Sequence, residues 1–221
     1  IHKAIYNYDE VEDREKDSSF FINLKLNINE GSSKQVFLVD EASMISDIFN
    51  DDEFFIFGSG YLLQDLFTYN DCHAYNNRKI IFVGDNAQLP PVGMNFSPAL
   101  NADYLRDKYN LKVEEYTLSN VVRQSKESGI LKVATDIRNQ IDKKQFNKLS
   151  VKSNNNDILD CDADCFDQTF LNTASKKGID NVITITHSNK LALYYNQKIR
   201  KIRYNDNSEI LKEKEKLIIT R

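Results

Sequence analysis

Two apolar runs that each stop at acidic residues constrain the fold of this 221-residue chain more than any other feature. Val36-Phe-Leu-Val39 is followed by Asp40-Glu41-Ala-Ser43, and Ile80-Ile-Phe-Val83 is followed by Gly84-Asp85. Short buried parallel strands have this form, and they carry polar residues to the carboxyl edge of an α/β sheet. Ligands bind at that edge in such folds. We therefore predict an α/β fold with a site built from both runs.

The residues after these runs have the chemistry of a phosphoryl-transfer site. Asp40 is suited to hold Mg²⁺, usually through water, and Glu41 can orient and deprotonate an attacking water. Gln88 can sense a terminal phosphate. Proteins catalyse phosphoryl transfer mainly by positioning groups and neutralising charge, so these residues form a minimal set. The alternative is that the two acids only cap a following helix.

Three segments carry a resemblance to a known family. Asp-Glu-Ala-Ser at 40–43, Gly-Asp-Asn-Ala-Gln-Leu-Pro-Pro-Val at 84–92 and Leu-Ser-Asn-Val-Val-Arg-Gln at 118–124 resemble motifs II, III and IV of superfamily I DNA helicases. The RecD-like branch, which includes the α subunit of ATP-dependent exonuclease V, is the most similar. Residues 1–6 resemble the end of motif Ia, and residues 183–189 resemble part of the second motor domain.

The resemblance implies an α/β fold of two RecA-like parallel-sheet domains of the P-loop NTPase type. The first, incomplete at its N-terminus, would span residues 1–111, the second 112–205, and a small β insertion would begin at 206–221. It implies ATP and Mg²⁺ as cofactors, single-stranded DNA and duplex junctions as partners, and subunits of a helicase-nuclease complex as further partners. Movement would be 5′ to 3′, as in that branch, with roles in DNA repair and recombination.

The same resemblance assigns the site residues. Glu41, Gln88 and Arg123 would be catalytic, Asp40 would hold the metal, and Gly84 and Asp85 would complete the nucleotide site. Arg123 would come from the second domain, where its planar donors match a phosphate. Its alternative is a surface ion pair worth less than about 1 kcal/mol.

Two groups of residues are predicted to contact DNA. The first comprises His2, which the resemblance places in motif Ia where family members contact DNA, together with Pro90, Pro91 and Val92, since single-strand channels combine apolar packing with backbone contacts. The alternative for Pro90, Pro91 and Val92 is that they only stiffen a loop. The second comprises Thr186, His187 and Asn189, where hydroxyls and a helix N-terminus can bind a phosphate. A simple N-cap role for Ser188 is equally compatible with the sequence.

No Gly-x-x-x-x-Gly-Lys-Ser/Thr loop occurs in the sequence, which has seven glycines in total. Helicases of this family carry that loop just upstream of motif Ia, and their motifs V and VI would lie beyond Arg221. We therefore expect an internal fragment of a longer helicase that is inactive by itself. We also expect residues 80–83 to form an open sheet edge.

Composition limits the function classes. The net charge of -4 argues against a protein that coats DNA through its overall field. The sequence has no apolar run long enough for a membrane span, and its three cysteines are an odd number, which favours a reducing compartment. We predict a cytoplasmic location.

Two other functions fit parts of the pattern. A protein that kept the helicase fold as a non-catalytic DNA- or partner-binding module would lack the phosphate loop altogether. A metal-dependent nuclease could use Asp40, Glu41 and Asp85, but Gln-Leu-Pro-Pro-Val would have no role in it.

The periodicity also predicts the elements. Strands are expected at 35–39, 79–83, 112–118, 181–186 and 216–220, and loops at 9–17 and 27–34. Helices are expected at 61–67, 97–108 with Ser97 as N-cap, 166–177 and 189–202, together with one whose apolar face contains Ile130, Val133, Ala134, Ile137 and Ile141.

Overall fold

The computed structural model describes residues 1–16, 19–50, 55–120, 128–145, 150–154, 156–204, 211–213 and 215. The chain divides into two compact units, Ile1–Leu149 and Ser150–Arg221. Helices and small sheets, one of them parallel throughout, make it a mixed α/β protein. No helix in the described ranges is both long and apolar enough to cross a bilayer. Cys72, Cys161 and Cys165 are free thiols.

The first unit contains most of the elements. In chain order they are helix α1 (His2–Ile5), strands β1 (Tyr6–Lys16), β2 (Ser19–Leu26), β3 (Gln35–Val39) and β4 (Phe55–Phe57), helix α2 (Leu62–Asn70), strand β5 (Arg78–Phe82), and helices α3 (Ala102–Tyr109) and α4 (Gly129–Asp142).

Strands β1, β2 and β4 form a mixed sheet in that order. β1 and β2 pair antiparallel, with Tyr6 opposite Leu26 and Lys16 opposite Ser19, and β2 pairs parallel with β4. The predicted loop at 9–17 is therefore wrong, because the backbone of residues 9–16 belongs to β1. Dense acidic residues indicate solvent exposure, but a strand with a hydrogen-bonded neighbour tolerates them.

Strands β3 and β5 form a separate parallel sheet, with Gln35 opposite Arg78 and Val39 opposite Phe82. These are the two strands that the apolar runs predict, and both are confirmed. The predicted loop at 27–34 is also confirmed, since residues 27–34 form no helix or strand.

One face of the β3–β5 sheet packs against α2. Phe67 meets the Phe82 ring edge-on at 6.1 Å between centroids, and Phe37 meets Tyr69 at 5.9 Å. The core around this contact contains Ile5, Tyr6, Leu24, Val39, Ala42, Ile45, Leu63, Leu66, Phe67, Ala99 and Leu105. The alternation of partly buried and exposed residues along β3, which ends at buried Val39, therefore follows the period of a strand covered on one face.

The opposite face of the β3–β5 sheet is exposed, and it carries four apolar residues beside Lys79. Val36, Leu38, Ile81 and Val83 are 63%, 69%, 50% and 44% exposed. Among the described residues β5 pairs with β3 alone, as expected for an open edge at 80–83.

Buried Arg78 holds the loop before β3 in place. Its guanidinium donates hydrogen bonds to the carbonyl oxygens of Asn29, Gly31, Ser32 and Asn70. It also stacks on the Tyr75 ring at 4.2 Å. Backbone carbonyls thus satisfy a buried cation that would otherwise be costly.

Helix α3 begins later than predicted. A single 3₁₀ turn at Pro98–Leu100 precedes it, and Asn101 caps it by accepting a hydrogen bond from the Tyr104 N–H at 2.9 Å. Ser97 occupies the N-cap position of the 3₁₀ turn, with Pro98 following it as predicted, but its side chain makes no capping hydrogen bond. Asn is among the best N-cap residues, and α3 itself begins after Asn101.

Helix α4 is confirmed, with Ser128 as its N-cap at 3.3 Å from the Leu131 nitrogen. None of its residues is buried, however, so its predicted apolar face is not part of a closed core. The helix lies in the first compact unit, whereas the predicted boundary at 111 and 112 assigns it to a second domain. The predicted domain boundaries themselves stay a prediction.

The second unit contains helices α5 (Phe166–Lys177) and α6 (Asn189–Tyr204), both close to their predicted bounds. Lys198 of α6 lies 2.8 Å from Asp167 at the start of α5. The predicted strands at 112–118 and 181–186 are absent, because no described segment pairs with them to supply ladder hydrogen bonds. The predicted strand at 216–220 lies outside the described residues.

Candidate functional site

The parallel register brings the ends of β3 and β5 together. The Val83 N–H donates to the Val39 carbonyl at 2.8 Å, and the Ala42 N–H then donates to the Val83 carbonyl at 2.9 Å. Asp40 and Gly84, which follow these strands, therefore leave the sheet at the same edge. This is the edge at which the sequence places the site.

Glu41 has an unusual backbone. Its φ and ψ are 52° and 39°, in the left-handed region, and its N–H donates to the Asp40 carboxylate at 2.9 Å. This conformation costs a residue with a side chain about 1–2 kcal/mol. Both carboxylates are exposed. Such strain concentrates at sites where it positions a functional group.

Gly84 allows the two halves of the edge to approach closely. A Cβ at this position would lie 2.8 Å from Cδ1 of Leu100 and 3.1 Å from the Ser43 nitrogen. Ser43 itself is fully buried, and its hydroxyl oxygen has no hydrogen-bond partner among the described residues. A side chain at residue 84 would therefore push the loop that follows β5 away from Ala42 and Ser43.

Asp85 organises the loop that leads to Gln88. Its carboxylate accepts a hydrogen bond from the Ala87 N–H at 2.9 Å, and its carbonyl accepts one from the Gln88 N–H at 3.0 Å. The guanidinium of Arg138 on α4 also binds both carboxylate oxygens. Hydrogen bonding to Arg138 lowers the pKa of Asp85 below its ordinary value.

The rest of this loop turns apolar side chains outward. Leu89 is 79% and Val92 is 93% exposed, whereas Pro91 is buried and Pro90 is partly buried. The Met94 N–H donates to the Pro91 carbonyl at 3.0 Å. Gln88 is exposed beside them, so the loop presents one amide and two apolar side chains.

A buried carboxylate, Asp47, anchors the segment after Glu41. It accepts hydrogen bonds from the Tyr104 hydroxyl at 2.6 Å, the Lys108 ammonium at 2.9 Å and the Tyr109 hydroxyl at 2.7 Å. Burial and the hydrogen bond to Asp47 both raise the pKa of Tyr109. Residues 42–47 are thereby fixed to α3. No motif in the sequence indicates this anchor.

His2 and Tyr6 pack inward. The His2 ring meets Phe57 at 4.8 Å and Tyr6 at 5.7 Å, and burial lowers the pKa of His2. Tyr6 is buried and donates to Asp65 at 2.7 Å. The DNA contact predicted for His2 stays a prediction, and an aromatic cluster already accounts for its packing.

Three of the predicted DNA-contacting residues belong to the second unit. Thr186, His187 and Asn189 surround the start of α6, where the Ser188 hydroxyl accepts a hydrogen bond from the Leu191 N–H at 3.3 Å. Thr186 donates to the Ser188 carbonyl at 3.1 Å. The N-cap role of Ser188 is therefore present, and a phosphate contact stays a prediction.

The structure brings together the residues that the sequence predicts at the sheet edge, namely Asp40, Glu41, Gly84, Asp85 and the turn to Gln88. Arg123 lies outside the described residues. Arg138 and Asp47 were not predicted, since each acts through a partner more than 50 residues away in the chain.

The donor chemistry at the edge is compatible with Mg²⁺. Mg²⁺ is commonly bound through one or two carboxylates, with waters and substrate phosphates completing its shell. The exposed Asp40 carboxylate meets the protein's part of that requirement. No group of three or more His, Cys, Asp or Glu side chains suited to a metal occurs in the described part of the chain.

Comparison with protein-family models, curated proteins and solved structures finds no match to this chain.

Proposed function

We propose that this chain is part of the ATPase motor of a RecD-like superfamily I DNA helicase. The motor would couple ATP hydrolysis to movement along single-stranded DNA and to duplex unwinding. In this proposal residues 1–111 and 112–205 belong to two RecA-like domains, and the protein works in the cytoplasm. The motor would also need a phosphate-binding loop, and none of the Gly-x-x-x-x-Gly-Lys-Ser/Thr type is among these 221 residues.

The shared edge of β3 and β5 carries this proposal. Two parallel strands end side by side, so the acid pair after β3 and the loop that leads to Gln88 after β5 leave the sheet at the same edge. The left-handed backbone at Glu41 adds support, because the strain sits at the residue for which the proposal needs a fixed direction.

Each residue has a defined task in the proposed reaction. Bound Mg²⁺ would neutralise charge on the phosphates, with Asp40 as its protein ligand. Glu41 would orient the attacking water and accept its proton. Gln88 would hydrogen-bond the terminal phosphate, and Arg123 would stabilise the charge that develops during transfer.

Single-stranded DNA would lie on the outward apolar part of the loop that follows β5. Exposed Val92 and partly buried Pro90 offer a surface on which bases can rest, and buried Pro91 would support the loop beneath them. Thr186, His187 and Asn189 would bind backbone phosphates through the start of α6. Subunits of a helicase-nuclease complex would be further partners.

The test is DNA-stimulated ATP hydrolysis by the full-length protein that contains this chain. Glu41→Gln removes the base and should lower kcat about 100-fold or more. Arg123→Ala removes the phosphate-binding cation and should lower kcat about 1,000-fold.

Matched variants control for the chemistry of each change. Glu30→Gln alters an exposed carboxylate in the loop that precedes β3, at the strand end away from the site, and Arg106→Ala removes an exposed arginine of α3. Both should keep wild-type rates. Equal rates for wild type, Glu41→Gln and Arg123→Ala would refute the proposed function.

A non-catalytic binding module is the second candidate, because the sequence contains no glycine-rich phosphate loop. This candidate predicts that the full-length protein binds single-stranded DNA or a protein partner but does not bind ATP. Equilibrium binding of a fluorescent ATP analogue, measured beside DNA binding, separates the two functions.

A further inference from the structure

Arg138 and Asp85 form a bidentate ion pair. Nη1 of Arg138 lies 2.7 Å from Oδ1 of Asp85, and Nη2 lies 2.6 Å from Oδ2. Two parallel bonds between a planar guanidinium and a carboxylate fix direction as well as distance. Most exposed ion pairs contribute little, and this paired geometry is the recognised exception.

The carboxylate that Arg138 holds is the one that shapes the turn to Gln88. Oδ1 of Asp85 accepts from the Ala87 N–H as well as from Arg138, and the Asp85 carbonyl accepts from the Gln88 N–H. Fixing the carboxylate therefore fixes the backbone from 85 to 88. That backbone sets the position of the Gln88 Cα and the direction of its Cα–Cβ bond, from which the side chain extends.

Arg138 belongs to α4, the helix that follows residues 121–127. Since no residue of α4 is buried, the pair is not a by-product of core packing. It connects the loop containing Gln88 directly to the element that comes after the segment carrying Arg123 in the sequence.

We propose that Arg138 is a positioning residue that sets the orientation of Gln88 through Asp85. This inference rests on the proposed ATPase function, since it gives Gln88 a phosphate to contact. A displaced Gln88 loses an interaction made in the transition state, and a small misplacement is enough to slow a reaction strongly. Arg138 therefore affects kcat and leaves the KM for ATP unchanged.

The first experiment measures DNA-stimulated ATPase kinetics of the full-length protein. Arg138→Ala should lower kcat about 10- to 100-fold with the KM for ATP within about twofold of wild type. Arg138→Lys keeps the positive charge but loses the paired donors of the guanidinium, so its kcat should lie between those of Arg138→Ala and wild type. Asp85→Ala and the Asp85→Ala, Arg138→Ala double variant should resemble each other, because the two residues act as one unit.

The control is Arg106→Ala, which removes an arginine of similar exposure that pairs with Asp103 on α3. It should keep the wild-type kcat. A wild-type kcat for Arg138→Ala overturns the inference, and so does an Arg138→Ala variant in which only the KM changes.

The second experiment needs no activity and uses the 221-residue chain. Hydrogen exchange at the Ala87 and Gln88 amides should be about tenfold faster in Arg138→Ala than in wild type, with Arg106→Ala unchanged. Unchanged exchange at these amides overturns the inference whatever the kinetics. Faster exchange combined with no ATPase activity in the wild-type protein instead refutes the proposed function and leaves the link between Arg138 and the loop in place.

Discussion

The strained backbone of Glu41 destabilises the fold, whereas its side chain serves the proposed reaction. Its left-handed conformation has φ of 52° and would suit glycine. Its N–H bond to Asp40 and its carbonyl bond to Met44 involve only the backbone of residue 41, so both survive a change of side chain. The glutamate side chain therefore weakens the fold at the position where the proposed reaction needs it.

Glu41→Gly should raise the free energy of unfolding of the 221-residue chain by about 0.5–1 kcal/mol, measured by urea denaturation. Relief of strain is larger than the extra chain entropy that glycine brings to the unfolded state. In the full-length protein the same change should abolish DNA-stimulated ATPase activity. Glu114→Gly, at a residue without positive φ, should be neutral or destabilising, and a destabilised Glu41→Gly variant would contradict this account.

The Asp85–Arg138 pair has a defined pH dependence. Arg138 lowers the pKa of Asp85 below its ordinary value of 3.8, so the pair stabilises the folded state above that pH. Its contribution is lost as the pH falls from 3.8 through the lower folded-state value, because protonated Asp85 no longer attracts the guanidinium.

An NMR titration of the Asp85 carboxyl carbon should show a pKa below 3.8 in the wild-type chain and a higher one in Arg138→Ala. Identical Asp85 titrations in the two proteins would show that the pair does not form in solution.

At the scale of elements, Asp47 joins the segment after β3 to helix α3. Its side chain is fully buried in the contact with Lys108, and two tyrosine hydroxyls complete its partners. Removing it takes the acceptor away from two tyrosine hydroxyls, and leaving buried donors unpaired is more costly than the average hydrogen bond. Lys108 loses its carboxylate partner but keeps its bond to the Tyr104 hydroxyl and its access to water.

Asp47→Ala should lower the free energy of unfolding by about 2–3 kcal/mol in urea denaturation of the chain. Asp47→Asn keeps an acceptor oxygen and should lose less. Asp103→Ala breaks an exposed pair within α3 and should cost less than about 1 kcal/mol. If Asp47→Ala were as mild as Asp103→Ala, the anchor would have no energetic importance.

The elements that the sequence predicts correctly are those with local signals. Strands β3 and β5 follow from apolar runs bounded by polar residues, and α2, α5 and α6 follow from helical spacing. The strand at 9–16 was missed because its acidic composition hides the pairing with β2. The expected strands at 112–118 and 181–186 need a neighbour for their hydrogen bonds, and composition cannot supply one.

The candidate site divides in the same way. The sequence places Asp40 and Gly84 at one edge because each follows an apolar run that predicts a strand. Parallel pairing of the two strands brings their carboxyl ends to the same edge. The Arg138 contact joins residues 53 apart through a helix whose position no local pattern encodes. The same reasoning explains why Asp47, which pairs with residues on α3, was not recognised as an anchor.

At the scale of the whole molecule, the exposed face of the β3–β5 sheet places several apolar residues next to one another. Parallel sheets are normally covered on both faces, and contiguous exposed apolar residues promote association. Val36, Leu38, Ile81 and Val83 lie together on this face. The net charge of -4 is too small to oppose such contact strongly.

Leu38→Lys should lower both the binding of a hydrophobic dye and the concentration-dependent light scattering of the chain, because it places a charge at the centre of this face. Ile28→Lys makes the same exchange at an exposed residue of the loop before β3 and should change neither signal. Equal scattering by Leu38→Lys and wild type would show that another surface drives association.

The packing at Gly84 has a mechanical consequence. The backbone of Gly84 packs directly on Ser43 and Leu100, so the loop after β5 and the turn after β3 are in close contact. Because protein interiors that are packed this closely transmit strain, we expect a displacement of the turn that carries Asp40 to be passed on to the loop that leads to Gln88.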